Sequence, residues 1–201
     1  MKRTRKTMLA ALILASLQCG AMNVYAAAGD PGGETATENA VHYVSINSDA
    51  EENMANDGAT GLNAIAIGPD AKATMMQDIA IGDGAESTHN YGVAIGRAAA
   101  SKHDDGVAIG RRATVTGEFG MAMGFRAKSG SYSMALGRET VAGTQAMAIG
   151  SFAKAEKGDS MSIGIQSKAG GSSALAVGRL AVAAGNHSST FGYKANADET
   201  A

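Results

Sequence analysis

Large aromatic rings, cysteine and proline are scarce in this chain of 201 residues. It has no tryptophan, one cysteine and two prolines, and aromatic residues make up 4% of it. A thick globular core built around aromatic side chains is therefore excluded. Because the single cysteine, Cys19, lies in the segment that we predict to be removed on export, no disulfide can stabilise the mature chain. Its stability must come from packing or from association between copies.

The N-terminal segment combines positive charge with a short apolar run. Four lysines and arginines within the first six residues precede the apolar residues 8–17, and small residues follow. The run is too short to span a bilayer as a helix, which takes about 20 residues. These features are typical of a secretory signal peptide. We predict a signal peptide over residues 1–26 with cleavage after Ala26, or alternatively after Ala28.

Charge is distributed unevenly along the chain, whose formal net charge is −2. Residues 27–63 include seven acids and neither lysine nor arginine, whereas 13 bases meet 12 acids from residue 64 onward. This balance argues against a nucleic-acid partner. We predict a flexible acidic leader over residues 27–40. Alternating apolar residues that start at Val41 predict an N-terminal capping segment over residues 41–63.

Glycine, in contrast, is abundant, with 27 residues, and it closes a repeated phrase of an apolar, a small and a second apolar residue. The phrase occurs ten times, and successive copies end 13 or 14 residues apart. The repeat glycines are Gly68, Gly82, Gly96, Gly110, Gly124, Gly137, Gly150, Gly164, Gly178 and Gly192. Ten units in register indicate a repeat fold.

Each unit contains two short alternating runs, because small residues follow most repeat glycines at three and five positions, as Ala99 and Ser101 follow Gly96. Alternation is typical of strands. A 14-residue coil has a contour of about 46 Å, enough for two five-residue strands and two tight turns. We therefore predict an all-β fold, a two-sheet parallel β-roll (a solenoid) of about ten coils over residues 64–201. The six-residue period of β-helical acyltransferases is absent.

Alternation also gives each strand two faces. In the unit Val107-Ala108-Ile109, the two bulky residues share one face and Ala108 occupies the other. We predict that the nearly flat alanine faces of identical rolls pack against each other. We also predict that the repeat glycines turn the chain with positive φ or a close backbone approach, so that valine at Gly110 would disturb the stacking.

These repeats, with the preceding segments 44–48 and 56–68, resemble the head of YadA-like trimeric autotransporter adhesins over residues 41–197. The resemblance implies a left-handed parallel β-roll that forms a homotrimer on the surface of a Gram-negative bacterium. It also implies a virulence function, the attachment to host matrix proteins, cell-surface receptors or glycans. Collagen binding in this family is associated with the phrase NSVAIGxxS, which no unit here contains complete.

Members of this family continue into a stalk and a C-terminal outer-membrane anchor, and the chain contains no heptad repeats that resemble a stalk. We expect it to be a fragment of a longer adhesin that is held in the membrane by that missing anchor. The alternative is an extracellular protein secreted without an anchor.

Basic residues recur directly after the repeat glycines. They are Arg97, Arg111, Arg112, Arg126, Arg138, Arg179 and Lys194. Because coils stack, we expect these side chains to form a ladder that holds sulfated glycans or acidic protein segments. The alternative is a solubilising ladder that neighbouring acids neutralise, or one that forms salt bridges between subunits.

Chemistry-bearing motifs are otherwise missing from the sequence. His89 and His103 are expected to stack in adjacent turns near Asp104, but turn side chains usually face water, and we predict no metal site. The sequence has no GxSxG, P-loop or HExxH motif. We therefore predict an adhesin head that has no enzymatic activity and no cofactor. The alternative function is a structural spacer without a ligand of its own.

Overall fold

The structure, a computed structural model, describes residues 57–198, which form twenty short strands in two parallel ten-stranded sheets. The first sheet, here the long-strand sheet, consists of β1 (Ile65–Ile67), β3 (Ile79–Ile81), β5 (Val93–Ile95), β7 (Val107–Ile109), β9 (Met121–Met123), β11 (Met134–Leu136), β13 (Met147–Ile149), β15 (Met161–Ile163), β17 (Leu175–Val177) and β19 (Ser189–Phe191). The second, the short-strand sheet, consists of β2 (Lys72–Ala73), β4 (Glu86–Ser87), β6 (Ala100–Ser101), β8 (Thr114–Val115), β10 (Lys128–Ser129), β12 (Val141–Ala142), β14 (Lys154–Ala155), β16 (Lys168–Ala169), β18 (Val182–Ala183) and β20 (Asn196–Ala197).

One odd-numbered strand and the next even-numbered strand form a coil, so that coils 1 to 10 follow one another along the chain. Each strand pairs with the equivalent strand of the adjacent coils, as Val107 pairs with Val93 and Met121. The predicted two-sheet parallel roll of about ten coils is confirmed. The strands have three and two residues instead of five, because the turns after the long strand (turn 1) and the short strand (turn 2) take up the rest of each coil.

Small side chains fill the interior of the roll. Four residues of each coil point inward. They are the residue before the long strand, the central residue of the long strand, the residue before the short strand and the last residue of the short strand. In coil 4 these are Gly106, Ala108, Ala113 and Val115, all of them buried. Since the two sheets face each other across this row of methyl groups, the core has almost no room for larger side chains.

The alanine face therefore lies inside the roll, and the prediction that it packs against another copy is wrong. Ala108 is fully buried, whereas Val107 and Ile109 point outward and remain partly exposed. The reason is the thinness of the coil. Two sheets joined by such short turns lie so close together that only the small face of each strand fits between them.

Turn 1 begins with the repeat glycine, whose φ lies between 117° and 135° in all ten units. Side chains are strongly disfavoured in this region. The glycines of adjacent coils also approach each other closely, because a Cβ built on Gly110 would lie 2.7 Å from the carbonyl oxygen of Gly124.

Both turns contain a further left-handed residue, which is glycine only at Gly84. In turn 1 it is the second residue after the repeat glycine, such as Ala98 at φ 55°, and in turn 2 it is the second residue before the next long strand, such as Tyr132 at φ 52°. None of these residues is β-branched, in line with the steric cost of branching at positive φ. Coil-to-coil hydrogen bonds hold this conformation, as the Arg112 N–H donates to the Arg97 carbonyl oxygen at 3.0 Å.

Turn 2 varies in length without disturbing the sheets. It has five residues in most coils but four in coils 5 and 6, where residues 130–133 and 143–146 connect the strands. The strands on either side keep their register, since Met134 pairs with both Met121 and Met147. This accounts for the 13-residue spacings in the sequence.

Buried hydroxyls at the end of the short strands give a first prediction. The Ser129 hydroxyl has no hydrogen-bond partner among the described residues, and alanine occupies the equivalent position in coil 7, at Ala155. We expect Ser129→Ala to stabilise the roll by about 0.5–1 kcal/mol, because it removes an unpaired buried polar group. Ser101→Ala is the matched control and should destabilise it, since the Ser101 hydroxyl donates to the Gly106 carbonyl oxygen at 2.9 Å. Urea unfolding of the two variants measures both effects, and equal shifts in one direction would contradict this account.

The predicted signal peptide, acidic leader and most of the capping segment lie outside the described residues. Residues 58–61, at the end of the predicted cap, bind to the edge of coil 1, where Ala73 N–H donates to the Gly58 carbonyl oxygen at 2.8 Å. Within residues 57–198, no helix has the length and apolar character needed to cross a membrane.

Candidate functional site

Turn 1 presents the seven basic residues identified in the sequence. Arg97, Arg111, Arg138 and Arg179 directly follow a repeat glycine, whereas Arg112, Arg126 and Lys194 come one position later and adopt the left-handed conformation. Backbone hydrogen bonds of 3.0 Å connect the two positions between coils, from Arg112 N–H to Arg97 and from Arg126 N–H to Arg111. The turns therefore stack in a fixed register.

The structure divides these residues into two groups. Five of them lie on coils 3 to 6 and are called here the basic column: Arg97, Arg111, Arg112, Arg126 and Arg138. Arg179 and Lys194 belong to coils 9 and 10. Coils 7 and 8 interrupt the series, since Ser151 and Ile165 follow their repeat glycines. The basic residues therefore form two separate groups along turn 1.

Aromatic rings hold several of the guanidinium groups. The Cζ of Arg111 lies 4.5 Å from the ring centroid of Phe125, and the Cζ of Arg126 lies 5.1 Å from it. In coils 6 and 7, the Arg138 Cζ lies 5.0 Å from the ring centroid of Phe152. Such cation–π contacts contribute about 0.5–1 kcal/mol each at exposed sites. Both rings occupy the same repeat positions as the arginines, and this shared position is the signal in the sequence that could have identified them.

Few acidic side chains pair with the arginines of the basic column. Arg138 pairs with Glu139 at 3.4 Å, but the Arg138 side chain is 60% exposed, so that water screens the pair. Within residues 57–198, the other four arginines of the column have no ion pair. At the coil 3 end, Asp83, Arg97 and Arg112 line a shallow groove of about 210 Å³.

Lysines extend the positive charge onto the outer face of the short-strand sheet. Lys128, Lys154 and Lys168 occupy the outward position of β10, β14 and β16, and all three are exposed. Lys154 lies 4.0 Å from Glu156, an exposed pair. This row was not predicted, although each lysine lies four residues after a repeat glycine.

The outer face of the long-strand sheet is apolar, in contrast to the mixed outer face of the short-strand sheet. The first and third residues of its ten strands point outward, and all but Ser189 are apolar. Met121, Met134, Met147 and Met161 follow one another in register and line a groove of about 420 Å³. Phe119 and Tyr132 border the same groove with rings stacked at a centroid distance of 5.2 Å. We call this surface the apolar face.

The two histidines of adjacent turns lie as the repeat suggests, with the rings of His89 and His103 stacked at 5.4 Å. Nearby, the Asn90 side-chain amide donates to the Asp104 carboxylate at 3.5 Å. In the part of the chain that the structure describes, no three histidine, cysteine or acidic side chains lie close enough together to hold a metal ion.

Comparisons with known proteins agree with this architecture. The sequence profile of the YadA head domain repeat (2 copies) matches residues 59–85, 76–99, 104–127, 129–153, 142–167 and 155–181. Among solved structures, the chain is similar to the collagen-binding domain of the Yersinia adhesin YadA, with 25% identity and a TM-score of 0.56 over 69% of this chain and 77% of that one. No curated protein matches the sequence. The matched repeats and the parallel roll together show that the chain belongs to the family of YadA head domain repeats and forms an adhesin-type head of the bacterial cell surface.

Proposed function

We propose that this chain is the head of an exported, outer-membrane-anchored adhesin that attaches as a homotrimer to host extracellular matrix or host cells. The observation that carries this proposal is the contrast between the apolar face on the long-strand sheet and the mixed outer face of the short-strand sheet, where Lys128, Lys154 and Lys168 point outward. One face suits association between copies, and the other suits contact with solvent and ligands.

The apolar face favours self-association. It continues over all ten long strands, and a single copy leaves Ile65 46% exposed and Met123 38% exposed. Contiguous apolar surfaces of this kind mark interaction sites, and each fully buried aliphatic side chain contributes about 1.5–3 kcal/mol. Identical rolls present identical rows to each other, which suits a closed symmetric assembly. The threefold number follows from the resemblance to trimeric adhesins.

A trimer of this kind repeats every surface feature three times. Weak contacts to a repetitive host surface then add through multivalency, so that attachment requires no deep pocket in a single chain. One relative of known structure is a collagen-binding domain. Because the complete phrase NSVAIGxxS is missing from every unit, we propose other matrix proteins or cell-surface glycans as the first targets to test.

Light scattering followed by an attachment assay tests this function. We expect the full chain to have about three times its single-chain mass in solution, and beads coated with it to adhere to matrix components or cultured cells more strongly than beads coated with albumin. A monomer would contradict the assembly. A trimer that adheres to neither surface would favour the spacer function instead.

A further inference from the structure

We propose that the basic column is a docking surface for a linear sulfated polysaccharide. This inference rests on the proposed adhesin function and assigns a ligand class to one surface of the head. The column comprises Arg97, Arg111, Arg112, Arg126 and Arg138 on turn 1 of coils 3 to 6.

The shape of the column suits a linear ligand. Adjacent coils stack at about 4.8 Å, so that five arginines project from two neighbouring positions of turn 1 over four successive coils. The hydrogen bonds from Arg112 N–H to Arg97 and from Arg126 N–H to Arg111 fix the successive turns against each other. A compact anion would contact only one or two of these groups, whereas a polymer with charges along its length contacts them all.

The central guanidinium groups are held in place before any ligand binds. Phe125 lies between Arg111 and Arg126, whose Cζ atoms are 4.5 and 5.1 Å from its ring centroid. This contact restricts two long side chains, and it lowers the entropy lost when they bind. The planar guanidinium also donates two parallel hydrogen bonds to an oxyanion group such as a sulfate, which a lysine cannot do.

The charge around the column is positive and accessible. Among residues 57–198, Arg138 is the only member in an ion pair, and that pair with Glu139 is exposed. Lys128, two residues after Arg126, adds positive charge on the outer face of the short-strand sheet. The acidic side chain of Asp83 follows a repeat glycine in coil 2 and limits the positive surface at the coil 3 end.

The backbone of turn 1 favours a polysaccharide over an acidic protein segment. Extended peptides commonly bind by adding a strand to a free sheet edge. Here the turn N–H groups already donate between coils, as Arg126 donates to Arg111 and Glu139 donates to Phe125. The column therefore offers side-chain charge and no strand edge, which suits a polymer recognised through its sulfate groups alone.

Salt-dependent binding of the full chain to immobilised heparin tests the proposal. The test variant is Arg111→Gln/Arg126→Gln. The matched control is Arg179→Gln/Lys194→Gln, which also removes two charges beside one ring but lies on coils 9 and 10. The Arg179 Cζ and the Lys194 Nζ are 5.7 and 5.2 Å from the ring centroid of Tyr193. We expect the double variant to bind about tenfold more weakly and to lower the salt slope by about one per lost contact, with little change for the control.

Competition identifies the ligand class. Dextran sulfate should displace the chain from heparin, whereas neutral dextran should not, and polyglutamate should compete weakly at equal charge. Three results would overturn the proposal: binding of Arg111→Gln/Arg126→Gln equal to that of the wild type, an equal loss of binding in Arg179→Gln/Lys194→Gln, or competition by polyglutamate equal to that by dextran sulfate. Circular dichroism confirms that each variant is folded.

Bead attachment measured in parallel separates this inference from the proposed function. A wild-type head that adheres to cells without binding heparin overturns the polysaccharide site alone. A head that adheres to no surface overturns the adhesin function.

Discussion

Gly110→Val is expected to destabilise the roll by about 4 kcal/mol or more. Two penalties add at this position. A φ of 125° costs a side chain about 1–3 kcal/mol, and the new Cβ would lie 2.7 Å from the Gly124 carbonyl oxygen and 2.8 Å from the Gly124 carbonyl carbon. Because both atoms belong to the backbone of coil 5, relief requires the coils to separate. Urea unfolding of the full chain, followed by circular dichroism, measures the loss.

Two other glycines serve as matched controls. At Gly192, φ is 117° but none of the described atoms lies within 4 Å of a built Cβ, so that Gly192→Val reports backbone strain without overlap. At Gly84, φ is 60° and the space is equally open, so that Gly84→Ala should cost only about 1 kcal/mol. If Gly110→Val and Gly192→Val shift the transition equally, the close approach between coils contributes nothing.

Val107→Asp/Ile109→Asp is expected to convert the proposed trimer into folded single chains and to abolish bead attachment. Both side chains project from β7 on the apolar face, near the middle of the long-strand sheet. In the trimer, each copy would bury two carboxylates in an apolar interface, which costs several kcal/mol unless the groups are paired. In a single chain the two aspartate side chains would be partly exposed to water, so that the roll itself tolerates the substitutions. Light scattering measures the mass, and circular dichroism reports the fold.

Thr114→Asp is the control for this pair. Thr114 lies in the same coil but points outward from the short-strand sheet, where it is half-buried. The control should keep the trimeric mass. A Val107→Asp/Ile109→Asp variant that stays trimeric would show that the apolar face is not the interface, and a Thr114→Asp variant that dissociates would place the contact on the opposite sheet.

The repeat spacing predicted most of the fold. A fixed period of 13 or 14 residues is compatible with only two short strands and two turns, and each strand must then pair with its equivalent one coil away. Parallel pairing such as that of Ala94 with Ala108 follows directly from this stacking. The family resemblance follows from the same phrase.

Which face of each strand lies inside could not be read from alternation alone. Ala108 is small and apolar, so that it suits both a tight core and a close contact between copies, and Val107 and Ile109 suit either side equally well. The distance between the two sheets decides the matter, and that distance depends on turn geometry. The left-handed residues were not predicted either, because their conformation also depends on the stacking of the coils. Their N–H groups donate to carbonyl oxygens of the preceding coil, as Arg112 donates to Arg97.

The basic column was predicted only in part. Stacking of Arg97 with Arg111 follows from the period, because equivalent positions lie above one another. The position of Phe125 between two guanidinium groups depends on rotamers that a repeat pattern does not encode. Ser151 and Ile165 interrupt the series of basic residues, and this is visible in the sequence. The separation of the basic residues into two groups on the surface becomes clear only when the coils are stacked.

The variable length of turn 2 makes this edge of the roll a natural place for new sequence. Coils 5 and 6 close with four residues and their neighbours with five, while every strand keeps its partner. Extra residues at an exposed position such as Thr144 would therefore project from the edge without reaching the stacked sheets. At such a position the surface sequence can change while the stacked sheets persist. For protein engineering, this position is an insertion site that displays a foreign epitope at a defined coil along the roll.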